Sequence, residues 1–483
     1  MAVLLMPLVF VAVLLLAKWY SKPSKTSTDY HGKSFPCFLG NAPKYAVNPI
    51  SLVRETGVRC ESALSVQLQT TYNCLLRIMK LNVVHLEILE NASSFCHGMG
   101  TFLNKTVDLE YLNNIRVMIG SLPRYMARAE AQEHTARCAT EETHSCALEW
   151  TTRSDVELFD GVSELTHKVL VRSLMGDDFY ESGDELLGLV RSMERDAGGF
   201  WSSALPGWAP FPPSRRQLRA RERVREVFWE RLGQRHLDAK NGELESDLPD
   251  YITYMLHDRS TAPLKHCFAS HHTLLMLASD TSTAAVISWV VVCLLRHPDV
   301  MAAVKRDARS GSCDSALLQA CIKETARYYN AMKRFRAPAA AASPKHEDAE
   351  SYPNFDTWMP GRWLNAENKL VDLEGRGKEP RCAAPGDGGR RCPGEEMATI
   401  VVTQTLTTLL RCYEITWVTP DQPRTVRFDD FGFDRLGSQW LKVSGRVYFI
   451  LLPCRRHSLL TILKSGLRVK ISRRVWPELV GGC

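Results

Sequence analysis

The sequence contains no Cys-x-x-Cys pair, although it has 15 cysteines. They are odd in number and are scattered from Cys37 to Cys483. A disulfide framework or a zinc knuckle needs paired or closely spaced cysteines, so the sequence favours neither. We expect most of these side chains to be reduced, small and buried.

Long blocks of like charge are also missing. The chain carries 60 basic and 54 acidic residues, for a formal net charge of +6. Its runs of adjacent basic residues are no longer than pairs such as Arg215-Arg216. Nucleic-acid binding usually needs a concentrated basic surface, so no nucleic-acid partner is predicted. A mildly basic surface instead suits an anionic membrane or an acidic protein partner.

The amino terminus carries an uninterrupted apolar run from Ala2 to Ala17, followed at once by Lys18, Trp19 and Tyr20. This pattern predicts a single transmembrane anchor over residues 1–20, with aromatic and basic residues at the membrane surface. A cleaved signal peptide is the competing interpretation, but its positive charge should precede the apolar run. The charge order predicts that the rest of the chain lies on the cytoplasmic side, and we expect the membrane to be that of the endoplasmic reticulum.

Helical patterns dominate the rest of the chain, and no repeat or linker divides it. We predict a mainly α fold with small β-sheets, formed by one domain over residues 21–455, before an atypical tail over residues 456–483. The predicted helices are Val156–Met175, Glu185–Asp196, Arg215–His236, Ala269–Leu295, Ala316–Tyr329 and Glu395–Cys412. The predicted strands include Ala63–Leu68 and Val447–Leu452.

The segment Leu274–Leu295 is apolar nearly all round, apart from the polar interruption Ser279-Asp280-Thr281-Ser282-Thr283. A second transmembrane span is one interpretation, but Asp280 splits the apolar run, so a helix buried in the protein is favoured. An acid and hydroxyls in an apolar helix are costly unless they are hydrogen-bonded or used. From the residues alone, two roles remain open for this polar run: a structural network that bends the helix, or a proton relay.

The loop Pro385–Gly394 places Cys392 just before a predicted helix. Its glycines permit a tight turn beneath a flat cofactor, and the helix dipole stabilises a thiolate. Such a thiolate on a haem iron favours cleavage of the O–O bond of dioxygen, and Arg390 is placed to bind a haem propionate. The loop lacks the patterns of a phosphate site, and Cys382 is too distant in sequence to favour a redox pair.

Two charged residues upstream, Glu324 and Arg327, lie three positions apart and therefore on one helix face. Alone, such a pair is typical of a helix surface. Arg362 follows in the aromatic stretch Phe355–Trp363. Because all three precede the cysteine loop in this order, they form a specific constellation.

The order of these features resembles the cytochrome P-450 family over about residues 35–455. In that family the loop reads Phe-x-x-Gly-x-Arg-x-Cys-x-Gly, and the matching places are occupied by Gly388, Arg390, Cys392 and Gly394. The resemblance implies the cytochrome P-450 fold, a single catalytic domain behind the anchor, and haem as the cofactor. Cys392 would be the axial ligand of the iron, in a binding loop with the other three residues.

The resemblance also implies roles for residues outside the loop. A buried network that supports the haem would be formed by three charged residues, Glu324, Arg327 and Arg362. Asp280 and Thr281 would deliver protons to dioxygen in catalysis. A shift of one residue, to Thr281 and Ser282, fits the family pattern equally well.

Within the family, Arg172–Gly176 and Tyr413-Glu414 are most similar to sterol 14-alpha-demethylases. The resemblance implies a monooxygenase that inserts one oxygen atom of dioxygen into a small apolar substrate, sterol-like or terpenoid-like. NADPH-cytochrome P-450 reductase would supply the electrons, and membrane lipid would be a further partner. The cofactor would carry out the oxidation while the protein positions the substrate.

Departures from the family pattern support an alternative function. Pro385 stands where the motif has phenylalanine, and the segments Pro298–Glu324 and Glu324–Arg362 are short, as if a connecting helix and strands were missing. These features favour a degenerate or mis-spliced member of the family. Such a protein would bind haem poorly and catalyse nothing.

Overall fold

The structure is a computed structural model, and it describes residues 103, 105–197, 211–241, 249–310, 315–328, 354, 357–371, 392–418, 442–443, 446–447 and 468–473. All of them belong to one compact unit, composed of Phe102–Lys333 and Pro344–Cys483. The predicted anchor at residues 1–20, the strand Ala63–Leu68 and the loop residues Gly388 and Arg390 lie outside the described residues.

Helices form most of the described part of the chain. In order they are α1 (Leu109–Met126), α2 (Ala129–Thr151), α3 (Leu158–Met175), α4 (Gly183–Ala197), α5 (Pro212–Asn241), α6 (Tyr251–His257), α7 (Phe268–Arg296), α8 (Pro298–Arg309), α9 (Ala316–Tyr328) and α10 (Glu395–Cys412). Side-chain hydrogen bonds cap the amino termini of two of these helices. The Glu157 side chain accepts a hydrogen bond from the Asp160 N–H at the start of α3, and Asp250 caps α6 in the same way.

All six predicted helices are present within a few residues of their expected ends. The helices α1, α2, α6 and α8 were not predicted. Helix α8 lies in the segment Pro298–Glu324, whose short spacing suggested a missing connecting helix. A connecting helix is therefore present there, with Pro298 in its first turn, where proline costs no hydrogen bond.

Helix α7 runs through the core of the protein. Its central residues, including Met276, Ala284 and Trp289, are almost completely inaccessible to solvent. Together with the turn before it, Ala262–Arg296 is long and apolar enough to cross a membrane, but 78% of its most apolar window is buried inside the protein. The prediction of a buried central helix is confirmed, since its apolar faces pack against neighbouring helices instead of lipid.

A small antiparallel sheet joins distant parts of the chain. Strand β5 (Arg468–Arg473) lies between β1 (Val156–Glu157) and β2 (Tyr413–Trp417), with Ile415 opposite Ile471. Part of the segment predicted as an atypical tail is thus the central strand of this sheet. A second, two-stranded sheet pairs β3 (Lys442–Val443) with β4 (Arg446–Val447), where a strand was predicted from Val447 onward.

Residues of β5 alternate between the interior and solvent, as expected for a strand with one covered face. Ile471 is buried, whereas Lys470 is exposed. Replacing Ile471 by aspartate should therefore lower the free energy of unfolding by about 3 kcal/mol, because a charge would enter the apolar face. The matched variant Lys470→Asp should cost less than about 1 kcal/mol. Urea unfolding measures both values, and equal losses would contradict the placement of this strand.

Candidate active site

Glu324 lies on α9 with no accessible surface, so the pair with Arg327 is not a surface ion pair. The Arg327 guanidinium donates from Nε to Glu324 Oε2 at 2.9 Å and from a terminal nitrogen to Oε1 at 2.8 Å. Arg362 donates from Nε to the same Oε1 at 3.1 Å. The structure thus brings together the three charged residues that the sequence singled out. Two guanidinium groups compensate one buried carboxylate.

Further donors complete the surroundings of this carboxylate. The Met359 N–H donates to Glu324 Oε1 and the Trp363 indole N–H to Oε2, both at 2.9 Å. Beside them, the Trp358 indole donates to Thr325 Oγ1 at 3.0 Å. The turn Pro360–Trp363 is therefore held against α9 by polar bonds as well as by aromatic packing.

Cys392 lies just before the first turn of α10, where Gly394 is the N-cap residue. The Gly394 N–H donates towards the Cys392 sulfur. Burial of the sulfur raises the pKa of the Cys392 thiol, and this hydrogen bond offsets part of the rise. The cysteine residue as a whole is exposed, and its sulfur is held by a backbone donor at a helix amino terminus.

The start of α10 packs beside α1 next to Cys392. A Cβ atom built on Gly394 would make ordinary van der Waals contacts, 3.7 Å from Leu122 Cδ2, on α1, and 3.9 Å from the Cys392 sulfur. The described residues contain no group of three His, Cys, Asp or Glu side chains that could hold a bare metal ion. A single cysteine sulfur fits a haem iron, because the porphyrin itself supplies the other, non-protein ligands of the metal.

Asp280 points from α7 towards α3. Its Oδ2 lies 2.7 Å from Nδ1 of His167, and the other ring nitrogen of His167 lies 2.9 Å from the carbonyl oxygen of Gly183. Both side chains are buried. The predicted proton donor is therefore engaged with a histidine of another helix, a partner that the sequence analysis did not identify.

The hydroxyls beside Asp280 have different partners. Thr281 Oγ1 donates to Glu194 Oε1, on α4, at 2.6 Å. Ser282 donates to the carbonyl oxygen of Ala278, one turn earlier, at 2.7 Å. Such back-bonding satisfies the hydroxyl and often bends a helix. Glu194 was also not identified from the sequence, since its isolated position in a predicted helix gives no functional signal.

One side of α7 is open over the same stretch. Between His271 and Leu294, the half-buried or exposed residues are Leu274, Ala278, Ser279, Ser282 and Val286, and the others are buried. They recur every three to four residues and so share one helix face. Asp280 lies on the opposite, packed side. The open side carries hydroxyls and small or apolar groups, as suits contact with an apolar ligand.

Comparisons with known proteins give consistent matches. The model of the cytochrome P450 family matches residues 137–338 and 340–437, together more than half of the chain. Cytochrome P450 monooxygenase pynD of Aspergillus niger is 37% identical over 438 residues, which cover 85% of this chain and 90% of that protein. For monooxygenase pytD of Aspergillus terreus the identity is 35% over 383 residues, covering 73% and 100%.

More distant similarity reaches other proteins. Lanosterol 14-alpha demethylase of Bos taurus is 24% identical over 302 residues, covering 56% of this chain and 59% of that protein. Among solved structures, retinoic acid bound cyanobacterial CYP120A1 superposes with a TM-score of 0.53 at 15% identity, covering 74% of this chain and 78% of that chain. The structural likeness shows a shared fold.

The Glu324 cluster generates a prediction for stability. Glu324→Ala removes the acceptor of two buried guanidinium groups, so the free energy of unfolding should fall by about 3 to 5 kcal/mol. The matched variant Glu367→Ala breaks an exposed pair with Lys369 and should cost at most about 1 kcal/mol. Thermal unfolding followed by circular dichroism compares the two. Similar small losses would show that the cluster does not stabilise the fold.

Proposed function

Because the chain belongs to the cytochrome P450 family of haem-thiolate monooxygenases, we propose that its catalytic centre is built on Cys392 and oxidises an apolar substrate. Haem is the cofactor of this family, and named monooxygenases match most of this chain. When bound, the haem supplies oxygen activation. The position of Cys392 at the start of α10, with its sulfur held by the Gly394 N–H, is the observation that carries the proposal.

The residues around Cys392 would hold the haem. Cys392 would supply the thiolate that binds the iron, and Arg390 would bind a propionate. Gly388 and Gly394 would keep the loop close to the porphyrin. Glu324, Arg327 and Arg362 would support the haem site by keeping the polypeptide around α9 rigid, a role consistent with their bonds around one buried carboxylate.

For proton delivery we favour Thr281 and Ser282 over Asp280 and Thr281. The Asp280 carboxylate is engaged with His167 on the packed side of α7, whereas Ser282 lies on the open side. The Thr281 hydroxyl donates to Glu194, whose side chain would supply a proton after it has itself been protonated. General acid catalysis needs a hydrogen-bonded path from such a group to the reacting atoms.

We propose a sterol-like or terpenoid-like substrate. Support comes from a lanosterol 14-alpha demethylase, which is 24% identical to this chain over an alignment that covers 56% of it. The apolar and small residues on the open side of α7 support an apolar ligand. NADPH-cytochrome P-450 reductase would supply electrons. The apolar run Ala2–Ala17 would anchor the protein in the endoplasmic reticulum, with the catalytic domain in the cytoplasm.

The structure and the relatives support an active enzyme over a degenerate relative. The pytD monooxygenase matches this chain along its full length, so the chain retains a counterpart of each major part. The short segment after Pro298 contains helix α8, and the segment before Arg362 holds the turn that reaches Glu324.

Replacement of Cys392 tests the proposed centre. Cys392→Ala should abolish the thiolate signature in the spectrum of the reduced, carbon-monoxide-treated protein, because no other ligand donates the same electron density. Cys412→Ala, at the far end of the same helix, is the matched control and should keep this spectrum. An unchanged spectrum in Cys392→Ala would overturn the assignment.

The proton path is tested by Thr281→Val, which removes a hydroxyl at nearly constant volume. Oxidation of NADPH by the reductase-supported protein, without added substrate, should slow by roughly tenfold or more. Thr273→Val, also on α7, removes a hydroxyl that only bonds the carbonyl of Ala269 and should leave this rate unchanged. A wild-type rate in Thr281→Val would contradict this path.

A further inference from the structure

The contact between His167 and Asp280 is the most deeply buried histidine–carboxylate pair among the described residues. Relative exposures are 1% for His167 and 2% for Asp280. The imidazole bridges two acceptors, because Nδ1 faces the Asp280 carboxylate at 2.7 Å and Nε2 faces the Gly183 carbonyl at 2.9 Å. The pair therefore links the central helix α7 to α3 and to the first residue of α4.

The number of protons in this contact shows that Asp280 shares its proton with His167. A carbonyl oxygen can only accept, so Nε2 of His167 must carry a hydrogen. A neutral imidazole has no second N–H, so the 2.7 Å contact needs one more proton, either on the ring or on the carboxyl group. In either arrangement that proton is shared with His167. Asp280 cannot pass it on without breaking the bond that holds α7 to α3.

Geometry also directs Asp280 away from the open side of α7. Residues two positions apart on a helix point about 200° apart, so Asp280 and Ser282 project to nearly opposite sides. The Asp280 side packs against α3, and the Ser282 side is half-buried. Thr281 lies between them and reaches Glu194 on α4. Fixing Asp280 therefore fixes the direction of both hydroxyls.

We propose that Asp280 is a positioning residue, and that its bond with His167 sets the rotation of α7 so that Thr281 and Ser282 are correctly aimed. The relay role of those two hydroxyls rests on the proposed function, whereas the pair itself does not. The remaining oxygen of Asp280, Oδ1, is buried and has no hydrogen-bond partner in the described part of the chain. His167 is thus the group that stabilises the carboxyl in the interior.

Stability tests the pair with leucine variants. His167→Leu and Asp280→Leu each leave a polar group buried without its partner, so each should lower Tm by about 5 °C or more. The double variant leaves two apolar side chains in contact and should have a higher Tm than either single variant. If a leucine variant does not fold, His167→Ala and Asp280→Ala give the same comparison, because the smaller alanine also removes the polar partner. If the loss of Tm in the double variant equals the sum of the two single losses, the proposed interaction of His167 with Asp280 is wrong.

A neighbouring pair on α3 serves as the control. Lys168 lies 3.3 Å from Glu164, one turn away, and both side chains are partly exposed. Lys168→Leu and Glu164→Leu should each change Tm by less than about 2 °C. Because Tm is compared among variants of the protein as purified, this stability comparison needs no turnover. A wild-type protein without a thiolate haem spectrum would refute the proposed function and leave the pair testable.

Measurements of proton transfer test whether Asp280 only positions α7 or passes protons itself. We would measure NADPH oxidation with reductase and no added substrate, in water and in deuterium oxide. The double variant His167→Leu/Asp280→Leu loses the bond that orients α7, so its rate should fall by roughly threefold or more. Asp280→Asn also lacks the carboxyl proton but can still hydrogen-bond His167, so its rate should stay within about twofold of wild type with an unchanged isotope effect. A rate of Asp280→Asn as low as that expected for Thr281→Val would show that Asp280 itself passes protons, and would overturn the proposal.

Discussion

The buried carboxylate of Glu324 is the constraint on which the site depends. A charge with no accessible surface is tolerated only when donors surround it, and here five hydrogen bonds converge on its two oxygens. The donors come from α9, from Met359 and from the turn Pro360–Trp363, which are separated in sequence. Because the charge must be compensated, Met359 and this turn must lie against α9.

The same rule organises the centre of α7. Its polar interruption lies in an apolar interior, so each polar side chain needs a partner from the helix itself or from a neighbour. Ser282 uses the preceding turn, whereas Asp280 and Thr281 reach α3 and α4. Apolar packing alone would permit small rotations or shifts of α7, but directional bonds to two different helices do not. The polar groups therefore specify orientation more than they add stability.

Sequence patterns predicted the elements that carry their own signal. Strong apolar periodicity located α7 and α10, and short motifs located Cys392 and the Glu324 cluster. Helix α2 was missed because its buried side is made of small and polar residues such as Thr135, Ala139 and Thr143, which give no apolar stripe. Strand β5 was missed because its alternation of buried and exposed residues is short. It forms a strand only by pairing with β1 and β2, which are far away in sequence.

The partners of the polar run could not be predicted for a related reason. His167 and Glu194 lie 113 and 87 positions before the residues that they bind, and nothing local marks them. Sequence analysis left a structural network and a proton relay as alternatives for this run. Since successive residues on a helix turn by about 100°, a polar run of several residues must face several directions at once. Asp280 can therefore belong to the network while Ser282 faces the open side, so one short run accommodates both roles.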